Sequence, residues 1–98
     1  MKLRWSARAH RDLHEISDYI AADAPDAARR WIERLRERAR KAADLPNAGR
    51  HVPELSSEDV REVFVRSYRI VYRIEARGIL VLTVIEGHVQ LTEGRLED

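Results

Sequence analysis

The sequence predicts an α+β fold, a two-layer βααβββ sandwich in which a helical hairpin packs on a small antiparallel sheet. Three observations predict it. Residues 61–85, REVFVRSYRIVYRIEARGILVLTVI, form three period-two runs rich in β-branched and aromatic side chains, the pattern of strands with alternating faces. Upstream, apolar residues recur at helical spacing in two stretches divided by Asp23-Ala24-Pro25-Asp26. A hairpin with one apolar stripe and a sheet with one apolar face can bury each other.

The elements follow in order. Lys2 to Trp5 is a short strand with Leu3 and Trp5 on one face. Ser6 is placed to cap a helix, its hydroxyl accepting from a first-turn N–H. Ala9, Leu13, Ile16 and Ile20 stand at i, i+4, i+7 and i+11, one helical face. Asp12, Glu15 and Asp18 are expected to point away from it, and the helix to end near Ala22. Pro25 suits the first turn of a second helix, with Asp23 or Ala24 as cap and Asp26 where the helix dipole favours an anion. Its stripe is Ala28, Ile32, Leu35, Ala39 and Ala42; its other faces carry Arg29, Arg30, Arg34, Arg36, Arg38, Arg40 and Lys41. Glu37 and Lys41 stand at pairing distance. Leu45-Pro46-Asn47-Ala48-Gly49 ends this helix, and 46–60 reads as a loop that Val52 and Leu55 could anchor.

In the sheet, Val63 and Val65 alternate with Glu62, Phe64 and Arg66. Tyr68, Ile70, Tyr72 and Ile74 alternate with Arg69, Val71, Arg73 and Glu75. Leu80, Leu82 and Val84 alternate with Ile79, Val81, Thr83 and Ile85. Arg66-Ser67 and Ala76-Arg77-Gly78 are hairpin connections, with Gly78 expected at positive φ. The chain divides into a folded domain, 1–86, and a polar C-terminal tail, 87–98.

Composition narrows the function. Ninety-eight residues make one domain with a modest core. No apolar run is long enough for a membrane span and no signal-peptide pattern opens the chain. Without cysteine there are no disulfides or thiolate metal sites, which fits a cytoplasmic address. Net charge is +1, with residues 1–44 at +3 and residues 45–98 at −2. No basic stretch dominates, so direct nucleic-acid binding is not expected. Arginine outnumbers lysine sixteen to two, which coding bias explains as well as bidentate recognition does.

Few residues suggest chemistry. His10 and His14 have the i, i+4 spacing of zinc ligands, but Arg11 stands where the zinc-protease helix has Glu and no third ligand is near, so no metal is expected. His10-Arg11-Asp12-Leu13 spells a kinase catalytic-loop tetrapeptide without any other kinase element. Glu86 and His88 flank Gly87 at a strand end, where acid–base chemistry competes with the simpler reading of a solvated terminus. Arg61, Arg66, Arg69 and Arg73 crowd two strands, as phosphate or acidic-protein contacts or as plain surface. Trp31 sits at the rim of the second helix's stripe, as core packing or an interface anchor.

The chain resembles the ParE/RelE toxins of bacterial type II toxin–antitoxin pairs, closer to ParE. The likeness spans roughly residues 3–88. It rests on Leu3-Arg4-Trp5-Ser6; Ala9, Asp12-Leu13, Ile16 and Tyr19-Ile20; Pro25 and Ala27-Ala28; Leu45-Pro46 and Gly49-Arg50; Arg61-Glu62 and Val65; Tyr68-Arg69-Ile70-Val71-Tyr72-Arg73; and Val84 to Gly87. The resemblance implies a toxin neutralised by a cognate, ParD-like antitoxin, with DNA gyrase as target and no cofactor. Arg61, Arg69, Arg73 and His88 are then target-contact candidates. Trp31, Arg34, Leu35 and Arg38 are antitoxin-binding candidates, since antitoxins tend to be acidic where they bind and an edge strand or a helix can dock there. The alternatives are a RelE-like, ribosome-dependent mRNA endoribonuclease and an inactive antitoxin-binding module. Arg69 matches the RelE motif arginine. Glu62 and Phe64 occupy positions that are basic in RelE, and the tail has no tyrosine, so no catalytic residues and no enzyme are expected. Where relatives commonly carry arginine after the final Gly-His or Gly-Arg, this chain has Val89.

Overall fold

A computed structural model describes residues 2–97. Strand β1 (Lys2–Trp5) leads into helices α1 (Ala7–Ala21) and α2 (Pro25–Asp44), a 3-10 turn (Pro46–Ala48) and a two-residue strand β2 (Arg50–His51). The meander β3 (Val60–Val65), β4 (Tyr68–Glu75) and β5 (Gly78–Glu86) follows, then one short helical turn, α3 (Glu93–Leu96). The sheet order is β1-β5-β4-β3-β2. The meander is antiparallel; β1 joins it parallel to β5, with Lys2 opposite Gly78 and Trp5 opposite Val81.

The helical hairpin covers one sheet face. Ala9 and Leu13 of α1, Leu35, Ala39 and Ala42 of α2, and Val63, Val65, Ile70, Tyr72, Ile79, Val81 and Val84 of the sheet form the main core. Ser6 caps α1 as expected: its hydroxyl accepts from Ala9 N–H at 3.0 Å and donates to Leu82 O at 3.0 Å.

Several expectations are corrected. Period-two alternation fails in β5, because Val71 pairs with Thr83 and Tyr72 with Val81, leaving Leu82 as an extra residue. This bulge turns Leu82 and Ile85 to one face and Ile79, Val81 and Val84 to the other. Gly78 does not have positive φ; among the described residues only Arg66 does, at 54° in the β3–β4 turn. Gly78 is required for proximity instead, since a Cβ there would overlap the Lys2 carbonyl as β1 closes on β5. Glu37 reaches Arg40 at 2.8 Å rather than Lys41, and Arg40 also holds Glu33 at 2.6 Å.

The largest correction concerns the second sheet face. It is not simply open to solvent. Val52 and Leu55 from the 52–59 loop and Leu91 and Leu96 from the tail pack there on Val60, Val71, Leu82 and Ile85. The tail is polar in composition, yet Leu91 is buried and Leu96 partly so, and full burial of a leucine is worth roughly 1.5–3 kcal/mol. Asp12, expected at the surface of α1, is buried. Its carboxylate accepts from the Thr83 hydroxyl, from Val84 N–H at 3.0 Å and from Arg95 Nη2 at 2.7 Å, so every charge-bearing oxygen has a partner.

Candidate functional site

The arginines of the sheet have different fates. Arg69 is buried, 4% exposed. Its guanidinium donates to Glu54 at 2.8 and 2.9 Å and to Glu62 at 2.8 Å, and it reaches Val89 O at 3.3 Å. Glu62 is itself fully buried and also accepts from Arg50 Nε at 2.5 Å. Two carboxylates thus neutralise one buried cation, which raises the Arg69 pKa above its ordinary value, chiefly through the hydrogen bonds it donates to Glu54. In return Arg69, and after it the Leu91 N–H that donates to Glu54 at 3.0 Å, lower the Glu54 pKa from 4.5 to about 2. The expectation that Arg69 projects from an exposed face is therefore corrected: it is a buried tie between loop, strand and tail.

Arg61 is also engaged. It donates to Asn47 O at 2.9 Å and Gly49 O at 3.0 Å, stapling the chain around β2. Arg73 remains half exposed, 3.6 Å from Glu75, and His88 is exposed beyond the end of β5. The four target-contact candidates do not converge on one surface: Arg61 and Arg69 are structural, Arg73 lies on β4 and His88 follows the end of β5.

The antitoxin-binding candidates are brought closer together. Trp31 packs on the core and meets Tyr68 edge-to-face, with ring centroids 5.7 Å apart, while Arg34 lies 4.8 Å above its ring. Burial pushes the Tyr68 hydroxyl pKa up, with the Glu86 carboxylate adding to the shift. Leu35 is corrected: at 0% exposure it belongs to the core and has no surface to offer a partner. Arg34, Glu37, Arg38 and Lys41 of α2 instead line a groove of about 360 Å³ whose far wall is Phe64, Val65 and Arg66, and Glu37 is already paired with Arg40 at 2.8 Å. Phe64 is 40% exposed. Because β2 pairs only with Arg61 and Glu62, the outer edge of Val63–Val65 has no partner strand among the described residues. The groove therefore offers backbone hydrogen-bonding groups, an aromatic side chain and four cations side by side, a surface suited to an acidic extended segment.

Sequence reasoning missed Phe64, Arg66 and Lys41 as groove walls, and Glu54, Glu62 and Asp12 as buried partners. Glu62 left a readable signal: a carboxylate between Arg61 and Val63 in a strand with valines on its other face must either face water or find a cation. Among the described residues no group of three His, Cys, Asp or Glu side chains is placed to hold a metal, and no helix is long and apolar enough to cross a membrane.

Comparison with known proteins bears on this geometry. The family model described as the ParE toxin of the type II toxin–antitoxin system parDE matches residues 3–90. The protein Y4kP of Sinorhizobium fredii, provisionally named as a toxin, is 37% identical over 89 residues, 91% of each chain. Toxin RelE2 of Caulobacter vibrioides is 32% identical over 87 residues, covering 89% of this chain and 94% of its own. Among solved structures, a chain of the chromosomal ParDE system from P. aeruginosa superposes with a TM-score of 0.74 at 21% identity, over 88% of this chain and 95% of that one, a likeness of fold.

Proposed function

The chain belongs to the ParE family, the toxins of type II toxin–antitoxin systems, and from that membership we propose that it acts in the cytoplasm by binding and inhibiting DNA gyrase, without catalysing a reaction, until a ParD-like antitoxin neutralises it. The observation that carries the non-enzymatic reading is the state of Arg69. Phosphodiester cleavage needs a cation free to stabilise the charge that develops at phosphorus. Here Arg69 is buried between Glu54 and Glu62, with its charge already balanced. The antitoxin's place is the groove between α2 and the open edge of β3, where an acidic strand could extend the sheet while its carboxylates meet Arg34, Arg38, Lys41 and Arg66.

The similarity to the relative named RelE2 keeps one other reading in play, mRNA cleavage on the ribosome. Expression of the chain alone in bacteria separates the two. Growth arrest with a DNA-damage response, broken DNA and intact mRNA is the expected result, and the purified protein should block supercoiling by gyrase. Arrest with cut mRNA and unbroken DNA would overturn the gyrase reading. No arrest would favour a module that keeps only its antitoxin contacts.

A further inference from the structure

Four large apolar side chains are exposed among the described residues: Tyr19, Leu45, Phe64 and Val89. They divide by electrostatic surroundings. Phe64 and Leu45 lie in grooves that share Arg38 and Lys41. Tyr19, 80% exposed, and Val89, 41% exposed, line a different cleft of about 340 Å³ between α1 and the end of β5. Its floor is Ile16, Tyr68, Val84 and Ile85. Its charged rim is Glu15 and Glu86, neither of them in an ion pair among the described residues. The one cation lining it, Arg95, is held by Asp12 at 2.7 Å. Trp31 and Tyr68 stand between the two surfaces: Tyr68 lines the cleft, and Trp31 touches both Tyr68 and Arg34 of the basic groove.

We infer that this cleft is a second protein-docking surface, of charge opposite to the first, whose occupant is a basic segment carrying a large apolar anchor. Exposing Tyr19 and Val89 together has a hydrophobic cost that an inserted aliphatic or aromatic side chain would remove. Lysine or arginine on either side of that anchor would meet Glu15 and Glu86. An acidic segment, suited to the α2–β3 groove, is repelled here, so the two surfaces select different partners and can be filled together. The inference is independent of gyrase as target and of the absence of catalysis.

The test uses the purified chain with two amidated peptides, RKLWKLR and its acidic counterpart EELWELE, followed by backbone amide shifts. The basic peptide is expected to shift Glu15–Tyr19 and Val84–Val89, and the acidic one Arg34–Lys41 and Val63–Arg66. Glu15→Lys with Glu86→Lys should weaken the basic peptide roughly tenfold or more. Because Glu86 also meets the Tyr68 hydroxyl, the exposed Tyr19→Ala serves as a second variant; it should weaken binding several-fold with unchanged thermal stability. Binding of the basic peptide elsewhere, equal binding of both peptides in the cleft, or affinity indifferent to these substitutions would overturn the proposal. So would concentration-dependent shifts of the same amides without peptide, which would mark a contact between copies of the chain.

Discussion

Asp12 and Arg95, 83 positions apart in the chain, meet at 2.7 Å and clasp the C-terminal segment to the first helix. Asp12 is buried, and it also serves the Thr83 hydroxyl and the Val84 N–H. Arg95 is partly exposed. The two ends of the clasp should therefore cost different amounts to remove. Asp12→Ala strands two donors and a cation, and it should lower unfolding free energy by about 3 kcal/mol. Arg95→Ala leaves the buried carboxylate with its Thr83 and Val84 donors but without its cation, and should cost less, about 1–2 kcal/mol. Urea titrations of both variants and the double mutant measure the difference; equal costs would contradict it.

Glu54 introduces a pH dependence. Its carboxyl pKa is held at about 2, well below the ordinary 4.5, so the folded protein binds its proton less readily than the unfolded chain. The stability it contributes is fully present above the unfolded value and is lost as pH falls from 4.5 towards 2. Glu54→Gln should accordingly destabilise the protein at neutral pH, with the difference from the parent chain shrinking through that acid window. Chemical denaturation at neutral pH, near pH 4.5 and near pH 2 follows it.

Leu35 and its helix neighbours Arg34 and Arg38 should respond oppositely to mutation. Leu35→Ala opens a cavity in the main core and should cost about 2–5 kcal/mol. Arg34→Glu with Arg38→Glu should cost no more than about 1 kcal/mol, most of it from the lost contact of Arg34 with the Trp31 ring. The same pair should weaken antitoxin binding roughly tenfold or more and flatten its salt dependence. Calorimetric titration with the cognate antitoxin at two salt concentrations reads both effects.

Gly78→Ala should detach β1. The added Cβ would meet the Lys2 backbone, which cannot swing aside as a long side chain could. Faster hydrogen exchange at the amides of Lys2 to Trp5, with β3 and β4 still protected, is the expected signature.

Much of the fold was legible because it depends on local pattern. Ser6 as a cap, the apolar stripes of both helices and the three strands of the meander are set by neighbours a few residues away. What escaped depends on distant partners. Asp12 resembles a surface residue until Thr83 and Arg95 arrive from the other end of the chain. The β5 bulge puts one residue out of step, and hydrophobic alternation cannot show it when every residue from Ile79 to Leu82 is apolar. Arg69 was legible as the arginine of its motif but not as a buried one, because Glu54 lies in a loop with no periodicity to place it. The charge of α2 was visible in the sequence; the groove it forms with Phe64 and Arg66 exists only once α2 lies beside β3.

The parallel pairing of β1 with β5 bears on when the protein can finish folding. β1 is synthesised well before its partner strand, so Lys2 must wait for Gly78. Until then the opening strand has no ladder to join, and the helical hairpin has only part of a sheet to cover. A growing chain therefore cannot complete this fold until β5 has been synthesised, and a product truncated before β5 lacks the strand that pairs with both β1 and β4. Closure of the sheet is thus a late step of folding during synthesis, and a chain that stops short of β5 leaves its opening strand unpaired.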